Sequence, residues 1–302
     1  MTLTDRLILG CARLTGGASA GEAEALVRAA LDAGISHIDT APSYGMGTAE
    51  VVVGRAVRGF GGPVRITAKL GSARDPHAQA KSWLRRMKRS WGGSQSNPWQ
   101  AVEPIPARFT GPSGHDFSAG AMRASLALTC ECLGQIDFLL LHDVSAGEVN
   151  PALLADLAAL AASIGAERGY ASQAQWDAEL DARFPEAEVV QCAMVPAWLQ
   201  AATTPIGAKP LFLHSIVKAG AWLCATAPAF RAQLDLAARI VGTGDADTNR
   251  IAALYAAASH AVPGARLIIA SSHRSRLLAA LNAIARIDRA GNAAEISAVL
   301  KT

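Results

Sequence analysis

Short apolar runs punctuate the chain at Leu7–Gly10, His37–Thr40, Arg65–Lys69, Ile136–His142, Arg168–Ala171, Val189–Ala193, Leu211–His214 and Leu267–Ser271. Each is rich in leucine or β-branched residues and too short for a helix, so each predicts a strand. Helical spacing of apolar positions recurs near Ala20–Ala33, Thr48–Arg58, Ser118–Leu133, Pro151–Ile164 and Gln173–Arg183. It returns in a short segment after Pro196, then near Thr248–His260 and Arg274–Ile287. Strand and helix alternate from end to end, and no composition shift or linker separates two domains. Eight such units predict one α/β domain over residues 1–302, a closed parallel (β/α)8 TIM barrel. A doubly wound sheet would need a glycine-rich phosphate turn after its first strand, and Gly10-Cys11-Ala12-Arg13 does not supply one.

One interval breaks the rhythm. Residues 71–116 separate the third strand from its helix, and a connection of that length in a compact domain predicts a lid or an insertion at the barrel mouth. Within it Lys81, Arg85, Arg86, Lys88 and Arg89 alternate with Trp83, Leu84, Met87 and Trp91. That pattern predicts a basic amphipathic helix, which docks on the barrel by its apolar stripe, serves as a lid that steers an anionic ligand, or binds an anionic membrane surface or nucleic acid.

Composition narrows the class. Of 302 residues 64 are alanine, charged residues make up 18%, and the net charge is +3. There is ample apolar area for a core, which excludes a disordered chain. The stretch from Val189 to Ala208 carries no charge, but Pro196, Pro205, two glutamines and two threonines break it, so no membrane span is expected. The N-terminus lacks an apolar run long enough for an export signal. Cys11, Cys130, Cys132, Cys192 and Cys224 are therefore expected to be reduced thiols in the cytoplasm. Without a sustained basic stripe or stacking platform no nucleic-acid partner is expected, and the chain is read as a monomer or small homo-oligomer.

Strand ends are where a barrel keeps its reactive groups. Asp39 closes the second strand and Tyr44 follows it, Lys69 closes the third, and His142 closes the fourth. A lysine cation beside a tyrosine is expected to stabilise the phenolate and lower its pKa, while a carboxylate fixes the lysine. The histidine would orient a carbonyl or alcohol oxygen. Taken singly, each has a structural reading: Asp39 as a cap, Tyr44 as packing, Lys69 snorkelling at a strand end, His142 as a core histidine. Four together at neighbouring strand ends point to proton transfer.

The segments Gly34-Ile35-Ser36-His37-Ile38-Asp39-Thr40-Ala41-Pro42-Ser43-Tyr44-Gly45, Thr67-Ala68-Lys69-Leu70-Gly71 and Ile136-Asp137-Phe138-Leu139-Leu140-Leu141-His142-Asp143 resemble the aldo-keto reductases. The resemblance spans nearly the whole chain. It implies an NADP-using barrel oxidoreductase, with NAD possible, that interconverts a carbonyl and an alcohol or lactone. Tyr44 takes the place of the general acid/base, Lys69 and Asp39 its partners, and His142 the residue that orients the substrate oxygen. For the cofactor, the resemblance implies Ser172, Gln191 and His214 around the nicotinamide and Ser271 with Arg276 at the adenosine 2′-phosphate. Ala171 and Ala280 replace polar residues of the family pattern, and His214 replaces its stacking tyrosine. The His142-Asp143 ending and Phe117-Ser118 resemble the bacterial aldose and pyridoxal dehydrogenase branch.

Two alternatives stand beside this reading. The lost contacts at Ala171 and Ala280 would suit a barrel that binds NADPH as a sensor or subunit with little turnover. A histidine two residues before Asp39 resembles metal-dependent barrel hydrolases, but those want two histidines on one strand, so no metal ligand is assigned.

Overall fold

The computed structural model describes residues 1–14, 19–73, 99, 103–108, 113–200 and 209–301. Eight parallel strands close into a barrel in sequence order. They are β1 (Leu7–Gly10), β2 (His37–Asp39), β3 (Arg65–Leu70), β4 (Phe138–His142), β5 (Glu167–Ala171), β6 (Val189–Ala193), β7 (Leu211–His214) and β8 (Arg266–Ile269). Pairing of Leu7, Ile8 and Leu9 with Leu267, Ile268 and Ile269 shuts the last strand on the first. The (β/α)8 barrel expected from the alternating pattern is thus the observed fold, each predicted strand lying within two residues of its place.

Helices follow the strands: α1 (Ala20–Asp32), α2 (Ala49–Arg58), α3 (Ala119–Leu133), α4 (Pro151–Ile164) and α5 (Ala178–Arg183). Local chemistry sets their starts. Ser19 and Glu22 form a capping box before α1, and the side chains of Ser118 and Asn150 accept from the first turns of α3 and α4. The spacing placed α5 from Gln173; it begins only after Asp177, whose side chain caps it. The segment after Pro196 is a 3-10 turn, Pro196–Leu199.

The last third departs from strict alternation. After β7 come α6 (Ile216–Thr226), α7 (Pro228–Val241) and α8 (Ala246–Ala261), and after β8 come α9 (Arg274–Ala290) and α10 (Ala293–Val299). The helices α6, α7 and α10 were not expected. In α7 the buried positions Phe230, Leu234, Ala237, Ala238 and Val241 carry the helical period openly. No strand follows α6 or α7, so a pattern of one helix per strand passes over them. No helix among the described residues is long and apolar enough to cross a membrane. The predicted basic helix around Lys81–Arg89 falls outside the described residues.

Two apolar shells sandwich the sheet. Outward residues such as Leu9, Ile38, Ala68, Leu139, Leu141 and Val190 pack under the helices. Inward, a separate cluster of Ile8, Phe138, Leu140, Ala171, Val189, Phe212 and Ile268 fills the barrel. His37 joins it, its ring 5.2 Å from Phe138 and 5.1 Å from Phe212, with Nε2 2.8 Å from Thr67 Oγ1. Because strand side chains alternate with period two, this layer dictates what stands one step toward the carboxyl end: Asp39 above His37, Lys69 above Thr67, His142 above Leu140, Gln191 above Val189, and His214 above Phe212.

Helix packing sets a backbone limit at Gly54, where a Cβ would lie 1.8 Å from the Cys132 carbonyl oxygen. Gly54→Ala forces α2 and α3 apart and should cost about 1–3 kcal/mol, lowering the melting temperature by several degrees. Gly120→Ala, in the first turn of α3 with open space around it, should instead stabilise by about 0.5–1 kcal/mol. Thermal and denaturant unfolding of the two variants checks both signs.

Candidate active site

Lys69 and Asp39 are buried at 1% and 3% side-chain exposure and form a direct ion pair between adjacent strands. Lys69 Nζ also reaches the Thr40 carbonyl at 3.4 Å. Burial alone would lower the lysine pKa; the Asp39 charge, Tyr44 and the hydrogen bond to Asp39 outweigh it and hold the ammonium above its ordinary value. Lys69 is therefore a fixed cation.

Tyr44 opens a 3-10 turn, Tyr44–Gly47, just past β2. Its ring centroid lies 4.7 Å from Lys69 Nζ and 5.6 Å from the His142 ring, edge to face. The expected lowering of its pKa is not what this environment produces. Desolvation dominates, Lys69 pulls the other way and Asp39 pushes back, so the phenol is pushed up to about 12. The lysine favours a phenolate, but its own carboxylate partner cancels much of that field.

His142, 6% exposed, stands 3.5 Å by Nε2 from Asp143 Oδ2. Desolvation first, then Lys69, His115 and His214, push its pKa down to about 2, so the ring is neutral. Asp143 sits at φ 50°, an uncommon conformation for an aspartate, and Gln173 Nε2 donates to its Oδ2 at 2.5 Å.

Of the residues assigned to the cofactor, three are brought together. Ser172 follows β5, Gln191 stands in the middle of β6 and His214 ends β7, with Ala171 in register with Gln191 and Ala193 with His214. His214 Nε2 faces the Ser172 carbonyl at 2.8 Å and Nδ1 faces Ser215 Oγ at 2.9 Å, which pins the ring. Gln191 is 3% exposed, and among the described residues its Oε1 has no hydrogen-bond partner. Ser271 and Arg276 lie apart from these, on either side of the start of α9, where Ser271 Oγ donates to the His273 carbonyl and accepts from its amide. Ala280 is buried and Asn282 exposed on α9.

The sequence reading missed His115. This residue lies on the return of the insertion, whose Asp116 amide donates to the Gly71 carbonyl at 3.0 Å, and its ring stands 5.2 Å from His142 at 27°. A histidine just before the helix that follows a long barrel loop was the available signal. A cleft of about 460 Å³ opens beside it, lined by His115, Phe117, Ser118, Glu148, Asn150 and Asp156, between the starts of α3 and α4.

A closed parallel barrel carries a buried cation–carboxylate pair, a tyrosine and a neutral histidine at its carboxyl mouth, the face where such barrels hold their active sites. The chain belongs to the aldo/keto reductase family, whose model it matches over residues 6–161. It is 57% identical over 35 residues, 12% of this chain and 11% of the relative, to an aldo-keto reductase of Bacillus subtilis strain 168. It is 30% identical over 142 residues, 46% of this chain and 39% of the relative, to a D-threo-aldose 1-dehydrogenase of a Pseudomonas species. Both curated relatives are thus matched over well under two thirds of their length. An aldo/keto reductase from Klebsiella pneumoniae, solved with NADP and acetate, shares the fold at a TM-score of 0.60 and 18% identity, over 98% of this chain and 91% of that one.

The ion pair has a stability signature. Lys69→Met leaves the Asp39 carboxylate buried and unpaired and should cost about 3–5 kcal/mol. Adding Asp39→Asn removes the orphaned charge and should restore part of that loss, which urea unfolding of the single and double variants would show.

Proposed function

We propose that the protein is an NADP(H)-dependent oxidoreductase, with NAD possible, that interconverts a carbonyl and an alcohol or lactone. The observation that carries this is the joint placement of Asp39, Tyr44, Lys69 and His142 in one layer of a barrel belonging to this family. The residues present fit a nicotinamide. Its carboxamide is both donor and acceptor, and the unpartnered Gln191 Oε1 is a ready acceptor, with Ser172 beside it. His214, pinned through both ring nitrogens, offers a flat face in place of a stacking tyrosine. The amides at the start of α9, with Ser271 and Arg276, suit a phosphate. When bound, the nicotinamide supplies or accepts the hydride.

The chain's own residues handle the proton. Neutral His142 donates a hydrogen bond to the substrate oxygen and fixes its direction. In reduction the Tyr44 hydroxyl gives its proton to that oxygen as charge develops there, and the fixed Lys69 cation stabilises the phenolate left behind. Asp39 keeps Lys69 in place and charged. In oxidation the same steps run backwards, and the phenolate accepts the alcohol proton.

The preference for sugar lactols rests on the resemblance to aldose dehydrogenases and on the partial likeness to the D-threo-aldose 1-dehydrogenase. The five cysteines are free, which suits a reducing compartment such as the cytoplasm. A sensor with little turnover remains the alternative suggested by Ala171 and the buried Ala280.

Titration with NADPH, read by nicotinamide fluorescence, should saturate, and the protein should oxidise NADPH with reactive aldehydes such as nitrobenzaldehydes. Binding without turnover would favour the sensor. Tyr44→Phe should keep cofactor affinity and lose about 10²–10⁴ in kcat. The high tyrosine pKa fixes the sign of the pH response. Between about pH 7 and pH 10, kcat/KM for alcohol oxidation should rise with the phenolate fraction, while reduction, which uses the protonated phenol, should change little.

A further inference from the structure

The mouth of the barrel holds a second constellation, which the proton transfer does not need in full. His115, His142 and Asp143 each offer one ligand atom, and the three atoms lie within 4.8 Å of one another. Among the described residues His115 Nε2 is buried without a hydrogen-bond partner. His142 Nε2 already faces Asp143 Oδ2 at 3.5 Å. Buried polar atoms without protein partners are groups whose partners come from outside the chain, since leaving each unpaired costs about 1–3 kcal/mol.

We propose that His115, His142 and Asp143 form a zinc-class transition-metal site at the mouth of the barrel, and that an ion held there competes with the carbonyl substrate for His142. The binding half stands on the geometry alone; the competition rests on the function proposed above.

Two imidazoles and a carboxylate make a three-ligand set that leaves a fourth position open, and imidazole selects zinc, copper or nickel over magnesium or calcium. Gln173, donating to Asp143 Oδ2 at 2.5 Å, orients the carboxylate as an outer partner orients a metal ligand. Tetrahedral zinc with bonds of about 2.0–2.1 Å places its ligand atoms about 3.4 Å apart. The His142–Asp143 pair is already at that separation, so the adjustment falls to His115. That residue stands in the irregular segment before α3, where a ring can move without disturbing a strand. The charges permit a dication: Lys69 opposes it, but Asp39 compensates Lys69 directly, and among the described residues no lysine or arginine pairs with Asp143. The cleft beside His115, with Glu148 and Asp156 on its walls, is an approach lined with negative charge.

The test uses chelator-treated full-length protein, titrated with zinc sulfate by calorimetry and with cobalt chloride by visible absorption. One equivalent should bind, with cobalt giving the absorption bands of a low-coordinate nitrogen and oxygen site. His115→Ala should weaken binding by tenfold or more, whereas His260→Ala, a histidine outside the cluster, should not. Should His115→Ala lower the melting temperature, His115→Gln, which keeps a polar side chain of similar reach, replaces it. Zinc should raise the KM for an aldehyde with kcat little changed, and His115→Ala, compared with its own metal-free rate, should lose that inhibition. Absence of zinc binding at high micromolar concentration, or equal affinity in the His115 variants, overturns the site. Zinc that binds through His115 without raising KM overturns the competition. Zinc binding in a protein that oxidises no NADPH would leave the site standing and sink the proposed function.

Discussion

The buried pair of Lys69 and Asp39 is the constraint around which the rest of the site is arranged. An ammonium and a carboxylate taken out of water are each costly, and neither is tolerable in this barrel without the other. Their adjacency is not left to side-chain flexibility. Asp39 and Lys69 end neighbouring parallel strands, and the register pairing His37 with Arg65, Ile38 with Ile66 and Asp39 with Thr67 sets the lysine one step beyond the aspartate, within reach of its ammonium. The apolar layer beneath, with His37 held by Thr67 and wedged between Phe138 and Phe212, closes the barrel from below. The pair is thereby confined to the mouth.

That pair also explains why Tyr44 behaves differently from a tyrosine beside a free lysine. The cation favours the phenolate, yet Asp39 sits behind it with the opposite sign, and burial penalises the charged phenol most of all. The outcome is a phenol held in its protonated form next to a fixed cation. The same burial keeps His142 neutral, so the proposed mechanism has one ring that can give a proton and one that can donate a hydrogen bond without ionising.

How much of this was legible in the sequence follows from periodicity. Short apolar runs alternating with helical segments carried the strands, and the strand ends carried Asp39, Lys69 and His142, while Gln191 and His214 were assigned only through the family resemblance. Helix α7 was legible locally, in Phe230, Leu234 and Val241, but was masked by the assumption that each helix serves one strand. The direction of the Tyr44 shift was not legible. It depends on how burial and two opposite charges balance at one oxygen, and spacing along a chain carries no information on that balance.

His115 shows a different kind of blindness. It is many residues from β3 in sequence, yet the return of the insertion is tied to that strand's end by the bond from Asp116 to Gly71. Gly71 holds φ 101°, and a Cβ there would meet the Phe117 ring at 2.2 Å, so the glycine and the returning segment require each other. Once Phe117 is seated on Gly71, His115 is carried over the mouth and onto His142. The insertion therefore does more than lengthen a loop: through one glycine contact it delivers a second imidazole to a site whose first imidazole belongs to the barrel. Any ligand that engages His142 from that side therefore meets His115 as well.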